Sequence, residues 1–205
     1  MKRDLAAEED VAIATLELDR AAFVAGFPTW FLIIPVEQAA KPSVRFRTVA
    51  SEDLKRLVAA TDEDQGAPTS FKSPRWSRQQ WRAEPLKKRI TSPFADRISI
   101  GRASNVDVVI RSRVVSKLHA HFVLDGEGGP TVTDLDSHNG TFINNCRMAP
   151  HEAGVVSNGD VVSFGQLHCE FARSDVVYFA VRRRSLSLLE LESKALRETR
   201  PVGDR

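Results

Sequence analysis

The stretch VVSKLHAHF, Val114 to Phe122, gathers Ser116, Lys117, His119 and His121 within six residues. Three uses of such side chains compete. A serine near a histidine suggests nucleophilic catalysis, but that chemistry needs a third group to orient the imidazole and an oxyanion hole. Residues three apart at the entry to an extended strand point away from each other, so hydrolysis is not expected. A metal is the second use, because all five histidines and both cysteines fall between His119 and Cys169. Yet only His119 and His121 have a spacing that suits a shared ligand face, and Cys146 and Cys169 stand apart with no CxxC pairing. No metal and no cofactor are expected. The third use is to hold a loop in shape.

The elements around the cluster are short strands. From about Leu86 the chain alternates apolar and polar residues in brief runs: RISIG, DVVI, HAHFVL, PTVTDL, TFIN, DVVSF and LHCEF. Turn signals separate them: ASN, DGEGGP, DSHNG, NN, SNGD and GQ. Regularly spaced strands of this kind indicate an all-β sandwich or barrel. Asn158-Gly159 suits a tight hairpin with φ > 0 at both central positions, and Gly126, Gly128 and Gly129 suit a longer loop. In HAHFVL, alternation places Ala120, Phe122 and Leu124 on one face and His119, His121 and Val123 on the other.

Four words occur in order within these strands: IGR ending at Arg102, SKLH from Ser116 to His119, HNGT from His138 to Thr141, and NGD from Asn158. Each is common alone. Together, as GRASNVDVVIRSRVVSKLHAHF followed by TDLDSHNGTFIN, the pattern resembles the forkhead-associated (FHA) domain over roughly residues 86–172. The resemblance implies a β-sandwich of about eleven strands whose loops at one end bind phosphothreonine in a partner peptide. It assigns the phosphate to Arg102, Ser116 and Lys117. The chemistry is apt: a phosphate carries about −1.5 to −2 charges and three acceptor oxygens, and arginine meets it with a planar fork of donors. Ser116 offers a hydroxyl and a backbone N–H; Lys117 offers a second cation or another N–H. Asn139 would grip the ligand main chain just past the phosphothreonine, since an amide donates and accepts at once. His138, beside it, would reach the ligand and bring pH sensitivity near neutrality. His119 matches a buried histidine that ties the two binding loops together, and Gly101, Gly140 and Thr141 shape those loops. Two departures stand out. Asn144-Asn145 replaces an Asn-Gly turn, and RSRVV is basic where many members are acidic.

The remaining chain reads as a mixed α/β N-terminal extension (1–62), a linker or ordered arm (63–85) and, beyond the sandwich, a C-terminal helix and tail (173–205). WFLIIPV suits a buried strand, SVRFRTV a half-buried one and SEDLKRLVAAT a short helix capped by Ser51; DVAIATLEL fits either class. Ser174 can cap the last helix, with Leu186, Leu189 and Leu196 on its apolar stripe, although DVVYFAV alone also suits a strand. The mildly positive charge of +2 does not argue for nucleic acid. The apolar segment 21–36 is short and broken by Pro28 and Pro35, so no membrane span or signal peptide is expected and the cytoplasm is the expected location.

The reading is therefore a mainly β, non-enzymatic phosphothreonine adaptor whose partner is a Ser/Thr kinase or its substrate. Two alternatives remain. One is an assembly module that binds an unphosphorylated partner or itself. The other is a nucleic-acid regulator using Lys72, Arg75, Arg78, Arg82, Lys87, Lys88 and Arg89 interleaved with Trp76 and Trp81. Thr61, followed by Asp62, Glu63 and Asp64, is a candidate phosphorylation site through which one copy would bind another.

Overall fold

The computed structural model describes residues 18–36, 81–89, 96–125 and 128–183. Its described residues contain eleven strands in two sheets: β1 (Trp30–Pro35), β2 (Trp81–Pro85), β3 (Ile98–Gly101), β4 (Val108–Val109), β5 (Ala120–Val123), β6 (Thr131–Asp134), β7 (Thr141–Ile143), β8 (Cys146–Arg147), β9 (Ala153–Val155), β10 (Val161–Phe164) and β11 (Leu167–Arg173). One sheet runs β2-β1-β11-β10-β7-β8 and the other β4-β3-β5-β6-β9. The expected FHA-like sandwich of about eleven strands is the fold.

The core between the sheets follows the alternation. Ile98, Ile100, Ala120, Phe122 and Val132 from one sheet meet Leu32, Ile34, Val162, Phe164, Leu167, Cys169 and Phe171 from the other. Trp30, Phe171 and Phe122 stack in series, with ring centroids 4.5 Å and 5.6 Å apart.

WFLIIPV is apolar throughout because both faces of β1 are covered. Leu32 and Ile34 face the sandwich core, whereas Phe31 and Ile33 enter a second core on the outer face of the six-stranded sheet. Two helices cover that face. Helix α1 (Arg20–Gly26) is capped by Asp19, whose side chain accepts the Ala22 N–H at 2.7 Å, and it delivers Phe23. Residues 174–183 are helical (α2) and deliver Val177, Tyr178, Ala180 and Val181. Ser174 opens α2, so DVVYFAV is helix. Each buried phenylalanine in this second core contributes roughly 2–3 kcal/mol by removal from water.

The strands β1 and β2 lie outside residues 86–172, yet they extend one sheet of the sandwich. Within the polar stretch 63–85, the final residues Trp81–Pro85 form an ordered edge strand with Trp81 buried. Several cations of the basic arm are engaged by the protein. Arg82 bonds to Glu84 and to the Val109 carbonyl, Lys88 to Asp107 at 3.1 Å, and the Arg89 guanidinium to the Ser104 carbonyl. Asp107 organises this junction. Burial pushes its carboxyl up, but bonds from Ser99, the Arg89 N–H and Lys88 outweigh that and hold it down at about 2.

Three local expectations need correction. The Asn158-Gly159 turn joins β9 to β10, which lie in different sheets, so it is a corner and not a hairpin. Only Gly159 has positive φ (+90°), as position three of a type II turn requires. Two-residue hairpins lie instead at Asn144-Asn145 between β7 and β8, with φ of +49° and +70°, and at Gly165-Gln166 between β10 and β11. Finally, the alternation does not extend to His119, which precedes β5. Its ring turns into the core and meets Phe164 edge-on at 5.3 Å, while His121 occupies the outer face.

Thr61, Lys72, Arg75, Trp76, Arg78, Gly126, the Ser51 helix, SVRFRTV and the Leu186–Leu196 stripe fall outside the described residues.

Candidate functional site

One end of the sandwich brings together the turn after β3, the loop 110–119 and the loop between β6 and β7. Backbone bonds lock the first two: the Arg102 N–H donates to Ser116 O at 2.8 Å and the Ala103 N–H to Lys117 O at 3.0 Å. This contact explains Gly101. A Cβ there would collide with the Lys117 carbonyl.

Arg102 is exposed, and its Nε donates to Val115 O at 3.2 Å. That bond aims the guanidinium along the loop. Its two terminal nitrogens take no protein partner among the described residues. The Ser116 Oγ accepts the His138 N–H at 3.1 Å, which leaves its own proton free to donate outward. The Ser116 N–H is not free, contrary to expectation, because it donates to His119 Nδ1 at 3.0 Å. The Lys117 N–H has no acceptor among the described residues, and its ammonium is exposed. Asn139 donates one amide proton to Val114 O at 2.8 Å. Its oxygen and second proton are left to face solvent. Gly165, at φ +63° in the β10–β11 turn, packs against that side chain; a Cβ at Gly165 would come within 2.8 Å of the Asn139 Cβ.

Beneath these loops His119 is fully buried. Its Nδ1 accepts from Ser116 and its Nε2 donates to Gly140 O at 3.3 Å, so one neutral imidazole joins the loop carrying Ser116 to the loop carrying Asn139. Burial lowers the pKa of His119, opposed by the Gly140 carbonyl and the nearby Asp134 carboxylate. The linkage has a definite sign. The unfolded imidazole titrates near 6.5, and a folded value below that means the unfolded chain binds more protons as pH falls. The contribution of neutral His119 is complete above pH 6.5 and is lost as pH falls towards the folded value. Imidazolium cannot accept the Ser116 N–H, so the loop loosens at the same time. An NMR titration should show His119 titrating below 6.5, with thermal stability falling from pH 7 to 5; a His119 pKa at or above 6.5 would contradict this account.

Asp134 is the residue that sequence reasoning missed. Its carboxylate is buried and accepts the Ser137 Oγ at 2.6 Å, the Ser137 N–H at 3.0 Å and the Thr141 Oγ1 at 2.5 Å. Burial pushes this carboxyl up, but the Ser137 and Thr141 bonds more than offset it and hold it below the usual carboxylate value. It thereby fixes both ends of the loop that presents His138 and Asn139. Thr141 belongs to this support, and Gly140, at φ +78°, makes the turn. The only forewarning in the sequence is the Asp-x-x-Ser spacing, which favours side-chain-to-backbone turns. His121 takes no part in the site: it is buried on the outer face, and its Nδ1 has no hydrogen-bond partner among the described residues.

Two stacked sheets form a β-sandwich whose loop end exposes donors left unpaired among the described residues, above a buried polar scaffold. Residues 98–165 match the FHA domain family model, and FHA domains are non-catalytic interaction modules. The chain is 37% identical over 93 residues to the ABC transporter ATP-binding/permease protein Rv1747 of Mycobacterium tuberculosis, covering 45% of this chain and 10% of that protein. It is 37% identical over 73 residues to the glycogen accumulation regulator GarA of Mycolicibacterium smegmatis, covering 36% and 44% respectively. Among solved structures, Mycobacterium tuberculosis EmbR in complex with a low-affinity phosphopeptide aligns at 28% identity and TM-score 0.36, covering 44% of this chain and 21% of that one. The chain spans less than half the length of these curated relatives. Among the described residues no helix is long and apolar enough to cross a membrane.

Proposed function

We propose that this FHA domain binds phosphothreonine in a partner protein and acts as a non-catalytic adaptor in Ser/Thr kinase signalling in the cytoplasm, the partner being a kinase or its substrate. The observation that carries the reading is the set of unclaimed donors at one loop end. These are the terminal nitrogens of Arg102, the Ser116 hydroxyl, and the N–H and ammonium of Lys117. Four donor groups aimed outward suit a group with three acceptor oxygens and nearly two negative charges. Arg102 would supply the bidentate contact, and Ser116 and Lys117 the others. The free half of the Asn139 amide would hold the peptide main chain, so that the ligand's register is fixed beside its phosphate.

Arg111 and Arg113 are exposed in the same loop and make no ion pair among the described residues. They strengthen the positive field at the rim, which raises the rate of encounter with an anionic peptide. The test is a degenerate phosphothreonine peptide library with its unphosphorylated twin as control. Selective capture of the phosphorylated library is the expected result; equal capture of both would refute the reading.

A further inference from the structure

Gly165 and Gln166 form the two-residue turn between β10 and β11, and Gly165 alone of the pair has positive φ, at +63°. A hairpin of the II′ kind takes glycine at that first position, so the turn accounts for the residue's backbone. It does not account for the residue's neighbours. A Cβ built on Gly165 would stand 2.8 Å from the Asn139 Cβ, 3.5 Å from its Cγ and 3.1 Å from Val114 O. Those neighbours are the two partners of one hydrogen bond, the 2.8 Å bond from the Asn139 amide to Val114 O. The Gly165 N–H also donates to Gly140 O at 2.8 Å, the carbonyl that His119 Nε2 reaches at 3.3 Å. Gly159 supplies the comparison. It lies at the opposite end of β10 with φ of +90°, and a Cβ there would meet nothing within 4 Å.

A methyl group at Gly165 could not be relieved by a swing of the Asn139 side chain. Its closest neighbour there is the Cβ, which moves only with the backbone. Relief must therefore move residue 139 away from Val114 O, and the amide loses its acceptor. Held in place, the Asn139 amide spends one proton on Val114 O and keeps its oxygen and second proton facing solvent. Released, it rotates freely, and a bound peptide has to order it. Fixing a group before binding raises affinity by removing that ordering cost.

We propose that Gly165 is a positioning residue for ligand binding: with no side chain of its own to offer, it holds the Asn139 amide on Val114 O and so presents the half of the amide that grips the peptide main chain. The inference rests on the phosphothreonine reading above, and it brings the β10–β11 turn into the site beside the loops already described. Gly165→Ala should weaken peptide binding about tenfold, as for the loss of one or two neutral hydrogen bonds. Gly159→Ala carries the same kind of backbone strain and should leave affinity within about twofold of the native chain, because nothing stands beside it.

The test uses the full chain, G165A, G159A, N139G and the double variant G165A/N139G. Fluorescence anisotropy with a labelled phosphothreonine peptide gives affinity, urea denaturation gives stability, and heteronuclear NMR of the free proteins follows the Asn139 side-chain amide. The amide proton bonded to Val114 O should move upfield in G165A and stay in place in G159A. In the N139G background the crowded side chain is gone, so G165A should cost no further affinity and less stability than it does in the native chain. Native affinity in G165A, an equal loss in G159A, or a fully additive loss in the N139G background would overturn the assignment. If G165A alone fails to fold, G165A/N139G should fold, and its failure beside a folded G159A would overturn the assignment as well. Failure of the native chain to bind any phosphothreonine peptide would instead refute the reading beneath it, and the role in binding with it, while the amide resonance still tests the contact.

Discussion

Replacing Arg102 by alanine should weaken binding of a phosphothreonine peptide by about 2–4 kcal/mol, roughly 30- to 900-fold. Arg102 is the only proposed site residue whose side chain offers a planar, permanently charged fork to the phosphate, and its terminal nitrogens have no competing protein partner among the described residues. The cost to the fold should be small. One half-buried bond, Nε to Val115 O, is lost, worth about 1 kcal/mol, and the Arg102 N–H to Ser116 O bond is retained because it belongs to the backbone. Titration calorimetry on the variant, beside its denaturation curve, separates the two effects. Arg102→Lys should fall between, since it keeps the charge and loses the fork. An R102A variant of native stability that binds phosphopeptide as tightly as the native chain would remove Arg102 from the site.

The second large effect is on stability. Asp134→Ala strands three buried donors: the Ser137 N–H, the Ser137 hydroxyl and the Thr141 hydroxyl. Leaving a buried donor unsatisfied costs about 1–3 kcal/mol, and the hydroxyls can partly reorient, so a total on the order of 4 kcal/mol is expected. That is a large share of the stability of an ordinary domain. Urea denaturation measures it directly. Asp134→Asn keeps one acceptor oxygen and should lose distinctly less. Phosphopeptide affinity should fall in both, because the loop holding His138 and Asn139 loses its anchor. The acid limb carries the same signature: a carboxyl held below its unfolded value stabilises above that value and ceases to do so as pH falls through the folded one. Full stability in D134A would show that the buried network is not what holds the loop.

How much of this was legible in the sequence depended on burial. Strands β3, β5, β6, β10 and β11 have one face in the core, and the resulting alternation exposed them. The strands β8 and β9 are short and largely exposed, with no buried face to impose a period, so they left no trace. Strand β2 was hidden in a polar stretch because Arg82 and Glu84 pair with each other on its surface and Pro85 ends it. Its partner β1 was readable, but the reason for its unbroken apolar run was not: of the two helices that cover its second face, one directly precedes it and the other, residues 174–183, comes from a distant part of the chain. At the site, Arg102, Ser116 and Asn139 stand in recognisable words. Asp134 does not, because an aspartate before a turn is ordinary until its three donors fold around it. The division of labour within Ser116 was equally invisible, since the capture of its N–H by His119 is a tertiary contact.

The most direct test of the central claim is calorimetric titration of the full chain with one phosphothreonine peptide drawn from the library and with its unphosphorylated twin. The account predicts a Kd for the phosphorylated peptide lower by at least about 100-fold, as charge-assisted bonds to a dianion imply. Equal affinity for the two peptides would contradict it.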